Sequence, residues 1–152
     1  MNIPDSDGLN NMGSAPDSLL HSSSKGGSAG QHIRVLIADE LPRSRGGLRA
    51  VLATWPQVEV VGEAADGRET VRLVEERRPD VVLMDVRMPV MDGIEATRLI
   101  KGKWPEVRVV VLTMYAVHRS SALAAGADAF LVKGCSPEQL LEAILYHEQP
   151  HR

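Results

Sequence analysis

The chain has one cysteine, Cys135, so no internal disulfide is available to it. No stretch approaches the roughly 20 consecutive apolar residues that a helix needs to cross a bilayer. The opening residues MNIPDSDGLN lack the charged and apolar regions of a secretory signal. Together these absences point to a cytoplasmic protein with no membrane partner. Positive charge is not in excess either: 17 Lys and Arg stand against 20 Asp and Glu, for a net charge of -3. A surface that attracts nucleic acid or anionic lipid through bulk charge needs clustered Lys and Arg, and no basic stripe is present. The five histidines are scattered at positions 21, 32, 118, 147 and 151, which disfavours a zinc cluster. What remains is 43% hydrophobic and 24% charged across 152 residues, the profile of one globular domain.

Composition shifts sharply near residue 31. Residues 1–31 hold seven Ser and five Gly and show no sustained apolar period. They cannot bury enough surface to offset the entropy of ordering them, so this segment is expected to be a disordered tail. A tether or partner-binding role would rest on the short SLLH stretch, Ser18 to His21. GGSAG, Gly26 to Gly30, precedes the first strand instead of following one, so it lacks the context of a phosphate-binding loop and reads as a linker.

From Ile33 onward two patterns alternate. IRVLIA (33–38), VEVVGEA (58–64), DVVLMD (80–85), VRVVVLT (107–113) and AFLVK (129–133) are short and nearly continuous in apolar character, as buried parallel strands are. Between them come helical spacings: Leu48, Val51, Leu52 and Trp55; Val71 and Val74; Ile94, Thr97 and Ile100; a small-residue segment around Ala122 to Ala125; and Leu140, Leu141, Ile144 and Leu145. Ser136 then Pro137 give the last helix a cap and a first residue. Five strand-helix repeats with short connections predict a doubly wound α/β fold, a five-stranded parallel sheet covered on both faces.

In such folds ligands bind beyond the carboxyl ends of the strands. There the first run ends in Asp39-Glu40, the third in Asp85, the fourth in Thr113 and the fifth in Lys133. Each alone reads as a cap or a solvated loop end; their convergence from four segments reads as a site. Three crowded carboxylates repel one another unless a cation sits among them, and an oxygen-only set suits a hard ion such as Mg²⁺. A carboxylate can also attack phosphorus while a metal ion and an ammonium neutralise the transferring group. Asp85, Lys133 and the acidic pair supply those parts, and Thr113 offers a hydroxyl to a phosphoryl oxygen.

Residues 33 to about 147 resemble the receiver domain of two-component response regulators. The residues that carry the resemblance are Asp39-Glu40, DVRMPVMDG from Asp85 to Gly93, the Thr113 strand end, and FLVKG from Phe130 to Gly134, in the family's order. FLVKG without a following proline resembles the class that carries a helix-turn-helix output domain. The resemblance implies a flavodoxin-like (βα)5 receiver fold over residues 32–149. It implies that a sensor histidine kinase phosphorylates Asp85, with Mg²⁺ held by Asp39, Glu40, Asp85 and the backbone carbonyl of Arg87. Lys133 would pair with the phosphoryl group, and Thr113 and Phe130 would form the switch. That switch would reshape the surface of the fourth helix, fifth strand and fifth helix toward a downstream protein or output domain, or toward a second copy as a homodimer. The chain would be a phosphoacceptor that catalyses its own phosphoryl transfer and dephosphorylation, not a conventional enzyme.

Two departures stand out. Glu40 occupies a position where the family usually has Asp, so its carboxylate must fold back or reach the ion differently. Only 19 residues follow Lys133, so no output domain is expected within the chain and no specific DNA binding by this chain alone. An alternative is a phosphorylation-independent receiver-like interaction module, which absence of Mg²⁺ binding would favour. A small-molecule phosphatase is disfavoured because Arg87 stands where a second carboxylate would act as general acid. Cys135 is assigned no role, Arg43 and Arg45 fit either a reach toward phosphate or the kinase or a solvated helix face, and Tyr115 and His118 fit either ordinary surface or a responsive one. Trp55 and Trp104 are read as covering the sheet at helix ends.

Overall fold

The computed structural model describes residues 32–145; the expected tail and the last residues of the expected domain lie outside them. Strands β1 (Ile33–Ala38), β2 (Val58–Ala64), β3 (Val81–Met84), β4 (Arg108–Thr113) and β5 (Ala129–Val132) alternate with helices α1 (Pro42–Leu52), α2 (Gly67–Arg77), α3 (Gly93–Lys103), α4 (Arg119–Ala124) and α5 (Pro137–Leu145). A 3₁₀ turn, Ala116–His118, leads into α4. The first two apolar runs become strands unchanged, and the other three lose a residue at one or both ends. The sheet has the order β2-β1-β3-β4-β5 and every pairing is parallel. This is the doubly wound five-stranded fold expected from the repeats. No helix among the described residues is long and apolar enough to cross a membrane.

The two-residue period of a strand divides the core between two faces. Leu36, Val82, Met84, Val109 and Val111 pack on one side with Leu73 and Val74 of α2, Ala96 and Ile100 of α3, and Ala122 of α4. Val35, Ile37, Leu83, Val110 and Leu112 pack on the other with Leu52 of α1 and with Leu140 and Ile144 of α5. Each large aliphatic side chain buried this way contributes about 2 kcal/mol. The central β3 is buried at every residue, whereas β5, at an edge, is half-buried or exposed throughout.

Helix starts are set by short polar side chains. Asp92 Oδ1 accepts from the amides of Ile94 and Glu95, each at 2.9 Å, and so opens α3. Asp66 does the same for Glu69 at the start of α2. Ser136 and Gln139 form a reciprocal capping box: Ser136 Oγ accepts from the Gln139 amide at 3.1 Å, and Gln139 Oε1 from the Ser136 amide at 3.0 Å. The small-residue segment before β5 makes the weakest helix. It has six residues, no side-chain cap, and Ala122 as its buried residue. Trp104 is buried at the end of α3 and Trp55 is half-buried beside α1, as expected of sheet covers.

Candidate functional site

Four residues stand at or one step past the carboxyl ends of β1, β3, β4 and β5, and hydrogen bonds of the sheet continue through them. The Asp39 amide donates to Ala64 O at 3.0 Å, the Asp85 amide to Ala38 O at 2.9 Å and the Lys133 amide to Thr113 O at 2.7 Å. Their side chains therefore leave a rigid edge. Lys133 reaches across β4, and its Nζ donates to Asp39 Oδ2 at 2.6 Å and to Asp85 Oδ2 at 3.3 Å. The remaining oxygens are held by main chain: Asp39 Oδ1 accepts from the Leu41 amide at 2.9 Å, and Asp85 Oδ1 from the Val86 amide at 2.8 Å. Both carboxylates are buried.

One ammonium thus serves two buried carboxylates. Burial raises the Asp85 carboxyl above the ordinary carboxylate range, and the charge of Asp39 adds to this, against the opposing pull of Lys133. For Lys133, burial alone would lower the ammonium. The hydrogen bond to Asp39 and the charges of both carboxylates outweigh it and hold the amine above its usual range. Burial thus works against charge on Asp85, while the two carboxylates favour charge on Lys133.

Thr113 is buried, and its Oγ1 has no hydrogen-bond partner among the described residues. An orphaned buried hydroxyl costs about 1–3 kcal/mol, so it marks a place where a partner belongs. Alternation along β4 puts Thr113 on the face of Val109 and Val111, where half-buried Phe130 of β5 also packs. The Arg119 guanidinium lies 5.7 Å from the Phe130 ring centroid.

The three carboxylates expected from the sequence resolve differently. Among the described residues no three of His, Cys, Asp and Glu gather closely enough to hold a metal by themselves. Asp39 and Asp85 meet through Lys133, while Glu40 is exposed and makes no ion pair among the described residues. Arg87 is also exposed, its guanidinium over Tyr115 and its carbonyl accepting no hydrogen bond among the described residues.

The loop after Asp85 is pinned by close contact. A Cβ added at Gly93 would lie 1.9 Å from Asp85 O, and one at Gly67 would lie 2.0 Å from Met91 O. Only glycine permits α2 and α3 to approach this loop. Within it Val90 has φ of 70° and the Met91 amide donates to Pro89 O at 2.7 Å, a tight three-residue turn in a conformation that β-branched residues avoid. Such strain is kept where surrounding structure over-determines it, often at functional sites.

Arg45, read as either reaching toward phosphate or the kinase or lying on a solvated helix face, is half-buried against two strand ends. Its Nη1 donates to Asp39 O at 2.7 Å and its Nε pairs with Glu63 Oε1 at 3.0 Å, so it clamps the start of α1 to β1 and β2. Glu63, a charge near the end of an apolar run, was the only signal in the sequence. Arg43 is exposed. Burial raises the Cys135 thiol, keeping it protonated beside a cavity of about 340 Å³ between α1 and the start of α5.

Residues 35–145 match the response regulator receiver domain family, and the chain belongs to it. It is 44% identical over 117 residues to the transcriptional regulatory protein YhcZ of Bacillus subtilis (strain 168), covering 76% of this chain and 55% of that protein. The chain spans about half the length of the curated relatives it matches. Among solved structures it is similar to the receiver domain of the response regulator NarL from Mycobacterium tuberculosis, with TM-score 0.72, 32% identity and coverage of 76% of this chain and 94% of that one. It is also similar to a chain of the CheX-CheY-BeF3-Mg complex from Borrelia burgdorferi, with TM-score 0.71, 26% identity and coverage of 77% and 90%. Relatives named as transcriptional regulators are in tension with the expectation that this chain alone binds no DNA.

Proposed function

We propose that Asp85 accepts a phosphoryl group from the phosphohistidine of a sensor kinase and that the resulting acyl phosphate switches the molecule's interaction surface. The observation that carries this reading is the Asp85–Lys133 pair at a sheet edge that also carries a buried Thr113 hydroxyl with no partner among the described residues. An Asp85 carboxylate oxygen attacks phosphorus. The P–N bond breaks with its electron pair passing to the imidazole nitrogen, which takes a proton from solvent. The Lys133 ammonium neutralises charge on the phosphoryl oxygens, and the Thr113 hydroxyl donates to one of them.

The oxygen donors that would hold Mg²⁺ are the carboxylates of Asp39 and Asp85 and the Arg87 carbonyl, with exposed Glu40 contributing through water. When bound, that ion supplies further charge neutralisation for a transferring phosphoryl group. The solved CheY complex with BeF3 and Mg supports the choice. Thr113 and Phe130 share one face of neighbouring strands, so a hydroxyl drawn toward Asp85 vacates space beneath α4. The downstream partner is an output module, and the relatives' names suggest a transcriptional one, carried on a longer protein or supplied in trans.

Intact-mass measurement after incubation with Mg²⁺ and acetyl phosphate tests the reading. A single phosphoryl adduct on the native chain, absent in Asp85→Asn and without Mg²⁺, is the expected result. No adduct, together with no Mg²⁺ binding, would favour an interaction module independent of phosphorylation, for which the exposure of Glu40 is the supporting observation.

A further inference from the structure

We propose that the stack of Arg87 on Tyr115 is a latch that holds the segment after Thr113 in its unphosphorylated arrangement and thereby restrains phosphorylation; this rests on the reading of Asp85 as phosphoacceptor. Arg87 stands two residues beyond Asp85, and Tyr115 two residues beyond Thr113. The stack therefore joins the two loops that carry the reacting carboxylate and the partnerless hydroxyl. The guanidinium carbon lies 5.2 Å from the Tyr115 ring centroid, and that ring meets His118 edge-on at 6.2 Å. Neither Arg87 nor Tyr115 has a side-chain hydrogen bond or ion pair among the described residues, so ring contacts orient them: the stack for Arg87, and the stack with the His118 edge for Tyr115.

The segment it restrains has little else to hold it. Met114 is 59% exposed and Val117 81%. The 3₁₀ turn has no side-chain cap, and α4 buries Ala122 alone. A segment with so few buried contacts sits at the low-stability end of a fold, where one side-chain contact shifts a population.

For Thr113 Oγ1 to bond a phosphoryl oxygen on Asp85 the end of β4 must move toward it, and Tyr115 is carried along by the backbone. The stack resists that displacement. An exposed cation–π pair is worth enough to change an equilibrium by roughly two- to fivefold. The ring face provides the attraction, so Phe would serve at position 115 and Leu would not.

The test uses the full chain with Arg87→Ala, Tyr115→Leu, Tyr115→Phe and the double variant Arg87→Ala/Tyr115→Leu. The rate of phosphoryl uptake from acetyl phosphate with Mg²⁺ should rise roughly two- to fivefold in either disruptive single variant. The double should rise no further, and Tyr115→Phe should match the native chain. Amide exchange over residues 114–124 of the unphosphorylated proteins should quicken in the same variants. Uptake that slows in Arg87→Ala while Tyr115→Leu stays native would make Arg87 a bare charge toward the donor and overturn the latch. Unchanged exchange in Tyr115→Leu would overturn it too, even were no variant phosphorylated; failure of the native chain to take up phosphate counts instead against the phosphoacceptor reading.

Discussion

At Asp85 a carboxylate is held against burial and against the charge of Asp39, with one ammonium shared between the two. Its raised proton affinity means that the fold prefers the neutral group. The stability this contributes is fully present below the ordinary carboxylate range and is lost as pH rises through the raised folded-state value. Asn has nearly the same shape and no charge. In Mg²⁺-free buffer near neutral pH, Asp85→Asn is expected to melt above the native chain, and the gap should close as the solution is acidified; thermal unfolding followed across pH measures both. A variant that melts lower than native at neutral pH would mean that the bond to Lys133 outweighs the burial. The same residues mark what a sequence makes legible. Asp39, Asp85, Thr113 and Lys133 could be found because each closes an apolar run at an edge where parallel strands align. Glu40 could not be placed, because two steps past the end of β1 the chain has left the sheet's hydrogen bonds and the side chain's direction is free. The clamp that Arg45 makes could not be read because its partners lie at the ends of two strands, 6 and 18 residues away.

Elements differ in how much their own sequence supports them. In α1, Gly46 and Gly47 follow one another in mid-helix, both exposed, with nothing within 4 Å of a Cβ at either position. Each costs conformational entropy that alanine would not, so Gly46→Ala is expected to stabilise by about 0.5–1 kcal/mol, readable as a higher urea midpoint at unchanged slope. A lower midpoint would show that the outer face of α1 needs its bare backbone. Gly93 is the opposite case, since there the helix start lies against Asp85 O and no side chain fits. The sequence distinguishes these glycines only in part: Asp92-Gly93 stands at a helix start after a strand, whereas nothing near Gly46 explains it. Strands were legible nearly to the residue, because burial on both faces leaves an unbroken apolar run. The helix of residues 119–124 was legible only as small residues, because a single buried alanine gives no period to detect.

Across the molecule, stability should run from the centre of the sheet outward. Val35 to Ala38, Val81 to Met84 and Val109 to Leu112 are buried, and each lies in a strand with neighbours on both sides. β5 has one neighbour, its four residues are half-buried or exposed, and α4 above it contributes one buried side chain. β2 is also an edge, yet Arg45 and Arg49 both pair with Glu63 on it. The two edges are therefore unequal, and the weaker one carries Phe130 and adjoins Thr113. Native-state hydrogen exchange is expected to show slowest exchange in β1, β3 and β4, intermediate exchange in β2, and fastest exchange from Met114 through β5, with local opening well below the cost of global unfolding. Uniform protection over β3, α4 and β5 would mean that the domain opens as one unit, leaving no separately poised segment for a phosphoryl group to bias. The expected gradient would instead put the molecule's least stable edge next to Asp85, the proposed phosphoacceptor, where a few hydrogen bonds to one new group would suffice to reshape a surface.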